Sequence, residues 1–323
     1  MPAKKPRDGS LQYYPRKRAS KVLSRVNWDI LENKTDNKVL GFLVYKVGMK
    51  SALVKDNTSD SLTKGKNIVI PATIFEAPYM KILSIRFYKN DHVIKETLNE
   101  NLDKELKRKI KIPKEKKKLE IEKEIGDAKS KQADDVRILV YSNIKKTSIK
   151  KTPDILEIGL TGSFDEKINF IKENINKEIS ITDIFKVDSL IDARGLTIAH
   201  GTSGPVKKMG ISLKAHKSEK GVRRPGSLGA WKPSHTTFRA PMSGQHGYFH
   251  RTSTNLKILD IAKIEQKNIN PKEGFEHFGL IKGDYIIVKG NAPGTEKSCL
   301  VLTSPLRETK KSKKHNYQLV KIL

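Results

Sequence analysis

The chain has 323 residues, with 64 Lys or Arg against 36 Asp or Glu and a net charge of +28. Excess charge of that size repels itself in a compact monomer, so a neutralising partner is expected, with nucleic acid ahead of an anionic membrane surface. No apolar run approaches the roughly 20 residues of a spanning helix, the N-terminus lacks the apolar core of a secretory signal, and the lone Cys299 excludes an internal disulfide or a cysteine zinc cluster and suits a reducing cytoplasm.

Residues 1–30 read as an extended basic arm. Eight basic side chains, among them Arg7, Arg16, Lys17, Arg18, Lys21 and Arg25, face one acid, Asp8, in the first 25 residues. Pro2, Pro6, Pro15 and Gly9 oppose a helix there. Tyr13 and Tyr14 are suited to stack on bases or pack on a neighbour. Short β-branched and aromatic runs follow at Val39–Lys46, Ser51–Asp56, Asn67–Phe75 and Ile82–Tyr88. The same texture returns at Leu256–Ala262, Asp284–Gly290, Ser298–Ser304 and Tyr317–Leu323. Strands at both ends with unlike material between them predict a mainly β fold, with one discontinuous β-barrel built from residues 31–95, 179–200 and 256–323.

Two insertions interrupt that barrel. Residues 96–178 read as a mixed-charge α/β block. Leu98, Leu102, Leu106 and Ile110 share one helical stripe, which Pro113 ends. Lys114 to Ala128 reads as a second, charged helix, and Val136–Ser142 as a strand. A further helix follows Ser163, its N-cap, with Glu166 in capping-box position.

The second insertion, 201–255, is a basic, glycine-rich extension without regular structure. From Ala193 to Leu259 the chain carries twelve Lys or Arg and a single acid, Glu219. Its glycines recur too often for a helix interior and permit close backbone approach. Lys207, Lys208, Lys214, Arg223, Arg224, Lys232, Arg239 and Arg251 lie a few residues apart. An extended chain advances about 3.3 Å per residue, so such spacing meets successive phosphates along a groove. Linkers rarely mix Trp231, Phe238, Tyr248 and Phe249 with dense cations. Trp231, in SLGAWKPS, has little core around it, which favours stacking on a base over burial.

His200, His216, His235, His246 and His250, together with Gln245 and Tyr248, supply groups that stack on bases or hydrogen-bond to phosphate and 2′-hydroxyl. His246 and His250 have the spacing of a helical metal pair, but Gly244 and Gly247 oppose a helix, and no Cys or carboxylate completes the set. No metal and no cofactor are expected. Walker, GxGxxG and GxSxG signatures are missing, and one carboxylate leaves little for general acid–base chemistry. The residues point to a structural RNA-binding protein that is not an enzyme. Two rival classes stay open on residues alone, an RNA-modifying enzyme with a basic guide loop and a module that grips RNA transiently.

PRKRASK (Pro15–Lys21), GFLVYKVGMK (Gly41–Lys50), and GPVKKMGI, SLGAWKPS, GQHGYFHRT and NLKILDI between Gly204 and Ile261 resemble one known family in order and spacing. So does Ile281–Arg307. The family is that of large-ribosomal-subunit protein three, in its archaeal and eukaryotic branch. The resemblance implies a translation-factor-like barrel on the outside of the large subunit in the cytoplasm. The arm and extension would run inward through 23S-type ribosomal RNA, with Trp231 at the tip near the peptidyl-transferase centre. It further implies a role early in subunit assembly, with the large-subunit proteins numbered fourteen and thirteen as neighbours. Neither a membrane nor a second copy of the chain is implied as a partner. The chain departs from the family at Ile198-Ala-His200, where relatives carry Lys-Gly-Lys. That exchange removes two cations and a flexible hinge, which weakens the expectation of phosphate contacts at this entrance, with His200 expected to substitute for one of them by hydrogen bonding.

Overall fold

A computed structural model describes residues 14–33, 37–113, 123, 125–126, 132–217, 220–232, 234–238 and 240–323. The fold is mainly β, with thirteen strands and short helices among these residues. They fall into two compact units. One comprises Val22–Gly195 with Arg251–Leu323, and the other the described part of Met1–Lys21 with Leu196–His250.

The larger unit is built on a sheet in the order β12 (Cys299–Thr303), β7 (Leu190–Leu196), β10 (His250–Lys263), β11 (Asp284–Lys289), β2 (Asn67–Ala77), β1 (Gly41–Asp56) and β13 (Tyr317–Ile322). β1 is one 16-residue strand that spans both of its expected runs. Its first part also pairs with β12, from Gly41 opposite Thr303 to Tyr45 opposite Cys299, so the pairing returns on itself. Gly41–Val47 is buried on both faces. That burial explains its continuous apolar run, since a strand covered on both sides has no polar face to alternate.

A second sheet, in the order β4 (His92–Leu98), β3 (Met80–Lys89), β5 (Asp135–Ser142) and β6 (Ile155–Gly159), packs against the first through a shared apolar core. Tyr45 of β1 crosses to it, donating to Asp154 at 2.7 Å and meeting the Ser142 hydroxyl at 2.7 Å. β3 and β4 therefore do not belong with β1 and β2, as the division at residue 95 supposed. Their partners are β5 and, through it, β6. The alternation of a strand sets its faces and leaves its partner open.

The leucine stripe also takes a different path. Leu98 ends β4, and Lys104–Arg108 is a single 3-10 turn rather than part of an α-helix. Buried Asn99 breaks the run by donating to the carbonyls of Ile82 and Ile175 at 3.0 and 2.8 Å. Leu102, Leu106 and Ile110 still reach a common apolar cluster with Leu83, Leu139 and Tyr141. Most of the proposed Lys114–Ala128 helix lies outside the described residues.

The helix Phe164–Asn174 forms as its sequence predicts. Ser163 caps it, and the Glu166 side chain returns the bond to the Ser163 N–H at 3.1 Å. Ile168 and Ile171 face the core, and Lys167 is held between Glu32 at 2.6 Å and Asp135 at 2.7 Å. The extended-arm reading fails before residue 30. Trp28–Glu32 is a helical turn whose Trp28 and Leu31 are core residues. A side chain at Gly41 or Gly159 would collide with the Trp28 ring or its Cβ, so those glycines make room for it.

Candidate nucleic-acid interface

The smaller unit is organised by a two-stranded stem, β8 (Ala199–Ser203) against β9 (Gly244–Gly247). Ala199 pairs with Gly247 and Ser203 with Gly244, with a register shift between Ala199 and Thr202. The ladder continues in the Thr197 N–H to Phe249 carbonyl bond at 2.9 Å and the Tyr248 N–H to Ile198 carbonyl bond at 3.2 Å. Gly247 has φ +73°, and a Cβ there would overlap the Ile198 carbonyl oxygen. No other residue type permits that approach. The long excursion thus leaves and re-enters through one narrow gate. The expectation of no regular structure in the extension fails here, because a stem of hydrogen-bonded backbone needs less apolar burial than a packed element.

Pro205–Met209 forms one helical turn, with Pro at its first position and Gly210 at its left-handed end. It puts Lys207 and Lys208 beside the stem. There His200 stacks on His246, with ring centroids 4.8 Å apart. Burial, then His200, Lys207, Lys208 and Arg16, holds the His246 imidazole below its usual range and therefore neutral. His200, the last residue of the Ile198-Ala-His200 run, is thus one half of a stacked imidazole pair at the stem.

The arm lies along the same unit. Ala19 donates its N–H to the Tyr248 carbonyl at 3.0 Å, and the Arg18 guanidinium sits 5.2 Å from the Tyr248 ring centroid. Arg16 lies over Tyr14 at 4.8 Å, and Tyr14 packs on Phe238 with centroids 5.5 Å apart. The contact between Tyr14 and Phe238 was not legible as a pair, although the arm tyrosine carried the signal of a packing residue. Lys17, Arg18 and Lys21 remain exposed.

Beyond the gate, the described residues from 211 to 243 form no helix or strand. His216, Arg223, Arg224, Lys232 and His235 are exposed, and Lys214 is half-buried. Trp231 is 91% exposed, a state that water disfavours for an indole and a stacked base relieves. His235 lines a shallow concavity beside it, with Leu228, Gly229 and Thr236.

The candidate residues are therefore not one cluster. His200, Lys207, Lys208, Gln245, His246 and Tyr248 gather at the stem with Arg16 and Arg18. The other extension residues spread along the excursion. Arg25 and Arg251 belong to the larger unit, and Arg7 and Arg239 lie outside the described residues.

The two units treat their cations differently. In the larger one, Arg86 is paired with Glu96 and Glu157 at 2.8 and 2.6 Å, and Arg137 with Asp29 and Asp135 at 2.7 and 2.9 Å. The extension has one carboxylate in its sequence with which to do the same. A cationic segment poor in carboxylates and carrying stacking groups can neutralise phosphates and stack on bases.

A family model described as "Ribosomal protein L3" matches residues 1–322. "Large ribosomal subunit protein uL3" of Methanobrevibacter smithii is 41% identical over 318 residues, covering 95% of this chain and 93% of that protein. Proteins of the same description from Methanocaldococcus jannaschii and Methanococcoides burtonii are 39% and 36% identical, each covering 94% of this chain and 92% of the relative.

Proposed function

The chain belongs to the ribosomal protein L3 family, a structural constituent of the large ribosomal subunit in the cytoplasm and not an enzyme, and from that premise we propose that it holds large-subunit ribosomal RNA with the arm and extension. The observation that carries this reading is the cationic excursion from the β8–β9 stem, with Trp231 exposed near its middle. Lys and Arg side chains displace counterions from clustered phosphates, while glycine-rich backbone occupies gaps too narrow for globular protein. Trp231 and its neighbours brace RNA near the peptidyl-transferase centre. Any influence on peptide transfer passes through RNA positions, because the extension brings no acid–base pair of its own.

The closed pairing of β12, β7, β10, β11, β2 and β1 supports reading the main sheet as the family's translation-factor-like barrel. We divide the chain accordingly into an arm, a discontinuous barrel, an inserted sheet and the RNA-threading extension. Early entry into subunit assembly follows from RNA that must fold around the extension. Contacts with the large-subunit proteins numbered fourteen and thirteen belong to the same reading, which needs neither a membrane nor a second copy of this chain.

The decisive experiment is sedimentation of large subunits through a high-salt wash. Stoichiometric retention is expected, because a threaded segment is held by topology as well as charge. Release in step with salt would mark a transient phosphate-only grip and overturn the reading.

A further inference from the structure

Between Arg307 and Lys321, on the larger unit, the chain carries six cations and one acid, Glu308. Arg307, Lys310, Lys311, Lys313 and Lys314 are all exposed, the four lysines on one helical turn, Lys310–Lys314. This turn is not a loose tail. The Asn255 side chain donates to the Arg307 carbonyl at 2.9 Å and accepts from the Thr309 N–H at 3.4 Å. Buried Lys257 donates to the Lys313 carbonyl at 3.4 Å. On the far side, Asn316 is gripped twice by the turn between β1 and β2. Its N–H donates to the Thr58 hydroxyl at 3.1 Å, and its carbonyl accepts from the Asn57 N–H at 2.9 Å.

Beneath the turn lies more positive charge. The Tyr317 hydroxyl accepts from Lys289 at 2.8 Å, and His315 stacks on the Tyr317 ring. Two of the acids nearby, Asp56 and Asp188, are committed elsewhere, and Glu308 offsets only Lys313 of the turn. Asp56 accepts from the Thr58 N–H and from the Ser61 and Thr63 hydroxyls, Asp188 pairs with Lys257 at 2.9 Å, and Glu308 pairs with Lys313 at 2.8 Å. Like charges pinned together in this way repel unless a counter-anion is supplied.

We propose that the Arg307–Lys314 surface is a second RNA-backbone site, which grips the phosphates of a duplex from the globular side. This proposal rests on the ribosomal reading above. Four charges on one turn span about 6 Å of helix axis. That density approaches the duplex value of one charge per roughly 1.7 Å. The stretch has no apolar side chain to enter a membrane.

The test binds full-length protein to a duplex of ~20 base pairs of RNA across a salt series. The triple variant Lys310→Ala, Lys311→Ala, Lys314→Ala spares Lys313 and its ion pair. It should lower the slope of log affinity against log salt by about two to three, near 0.9 per lost phosphate contact. Replacing the same three lysines by Arg should restore the slope. Arg223→Ala with Arg224→Ala reports on the extension separately. If that pair lowers the slope and the lysine triple does not, this inference falls while the extension reading stands. If neither does, both fall. Wild-type duplex binding by the lysine triple, with loss of a neighbouring protein from subunits that carry it, makes the surface a protein contact and also overturns the inference. Should the triple melt early, Lys310→Glu alone decides, and an unchanged slope is again fatal.

Discussion

Glu76 shows how one buried carboxyl ties stability to pH. It is fully buried in β2, where one carboxylate oxygen accepts from the backbone N–H groups of Lys282 and Gly283 at 2.8 and 2.9 Å. The other oxygen has no hydrogen-bond partner among the described residues. Burial raises its pKa to about 7, from the usual 4.5, against the opposing pull of those two donors. A raised folded value means that the fold prefers the protonated acid. The associated stability is present below pH 4.5 and is lost as pH rises through about 7. Glu76→Gln keeps an acceptor and cannot ionise, so it should gain up to roughly 3 kcal/mol over wild type at pH 8 and little in acid. Parallel denaturation profiles for the two proteins across that range would dispose of the idea. Trp231 is the opposite case, an apolar ring left in water. Trp231→Ala should enter subunits at near wild-type levels and change chemical reactivity of RNA near the peptidyl-transferase centre. Unaltered probing there would remove the role assigned to it.

At the scale of elements, the stem decides how the extension behaves. The β8–β9 ladder is short, and it depends on backbone passing backbone at Gly247. Gly247→Ala adds a Cβ at a positive φ, where the Ile198 carbonyl already occupies the space. The local cost should exceed about 1 kcal/mol, enough to open a ladder this small. Limited proteolysis should then cut faster at residues 199–203 and 244–247, while the larger unit melts as before. Equal cleavage of the two proteins would show that the stem tolerates the side chain. The helix Phe164–Asn174 illustrates the other extreme, an element whose cap, acidic first turn and apolar face agree locally. Such agreement is why it was legible from its own residues.

For the molecule as a whole, the contrast between units governs behaviour before RNA is met. The larger unit buries an extensive apolar core, whereas described residues 211–243 form neither helix nor strand. In free protein, hydrogen exchange should therefore be slow in β1, β2, β11 and β12 and fast through Gly221–Ala230, with protection of the latter appearing on incorporation into subunits. Strong protection of that stretch in free protein would count heavily against an RNA-threading extension. Around Arg86 and Arg137 of the larger unit cations are met by carboxylates, whereas residues 1–21 and 196–250 hold 16 Lys or Arg against two acids, half of the +28 excess in under a quarter of the chain.

The sequence by itself determined the family, the mainly β character and the location of the basic extension. Each of these is written in local composition: ordered motifs, β-branched runs, and twelve cations against one acid from Ala193 to Leu259. Exposure of Trp231 was legible for the same reason, because its neighbours offer nothing to pack against. Only the tertiary structure decided who pairs with whom. Ile82–Tyr88 reads as a β-branched and aromatic strand, and nothing within it says that β5 rather than β1 lies alongside. Leu102, Leu106 and Ile110 reach one cluster without forming a helix, since Asn99 spends its donors on distant carbonyls. The cationic turn at Lys310–Lys314 reads alone as a solvated tail. It became a built surface once Asn255, Lys257 and the β1–β2 turn were seen to hold it. Periodicity and charge act between neighbours along the chain, whereas pairing and anchoring depend on residues that only folding brings together.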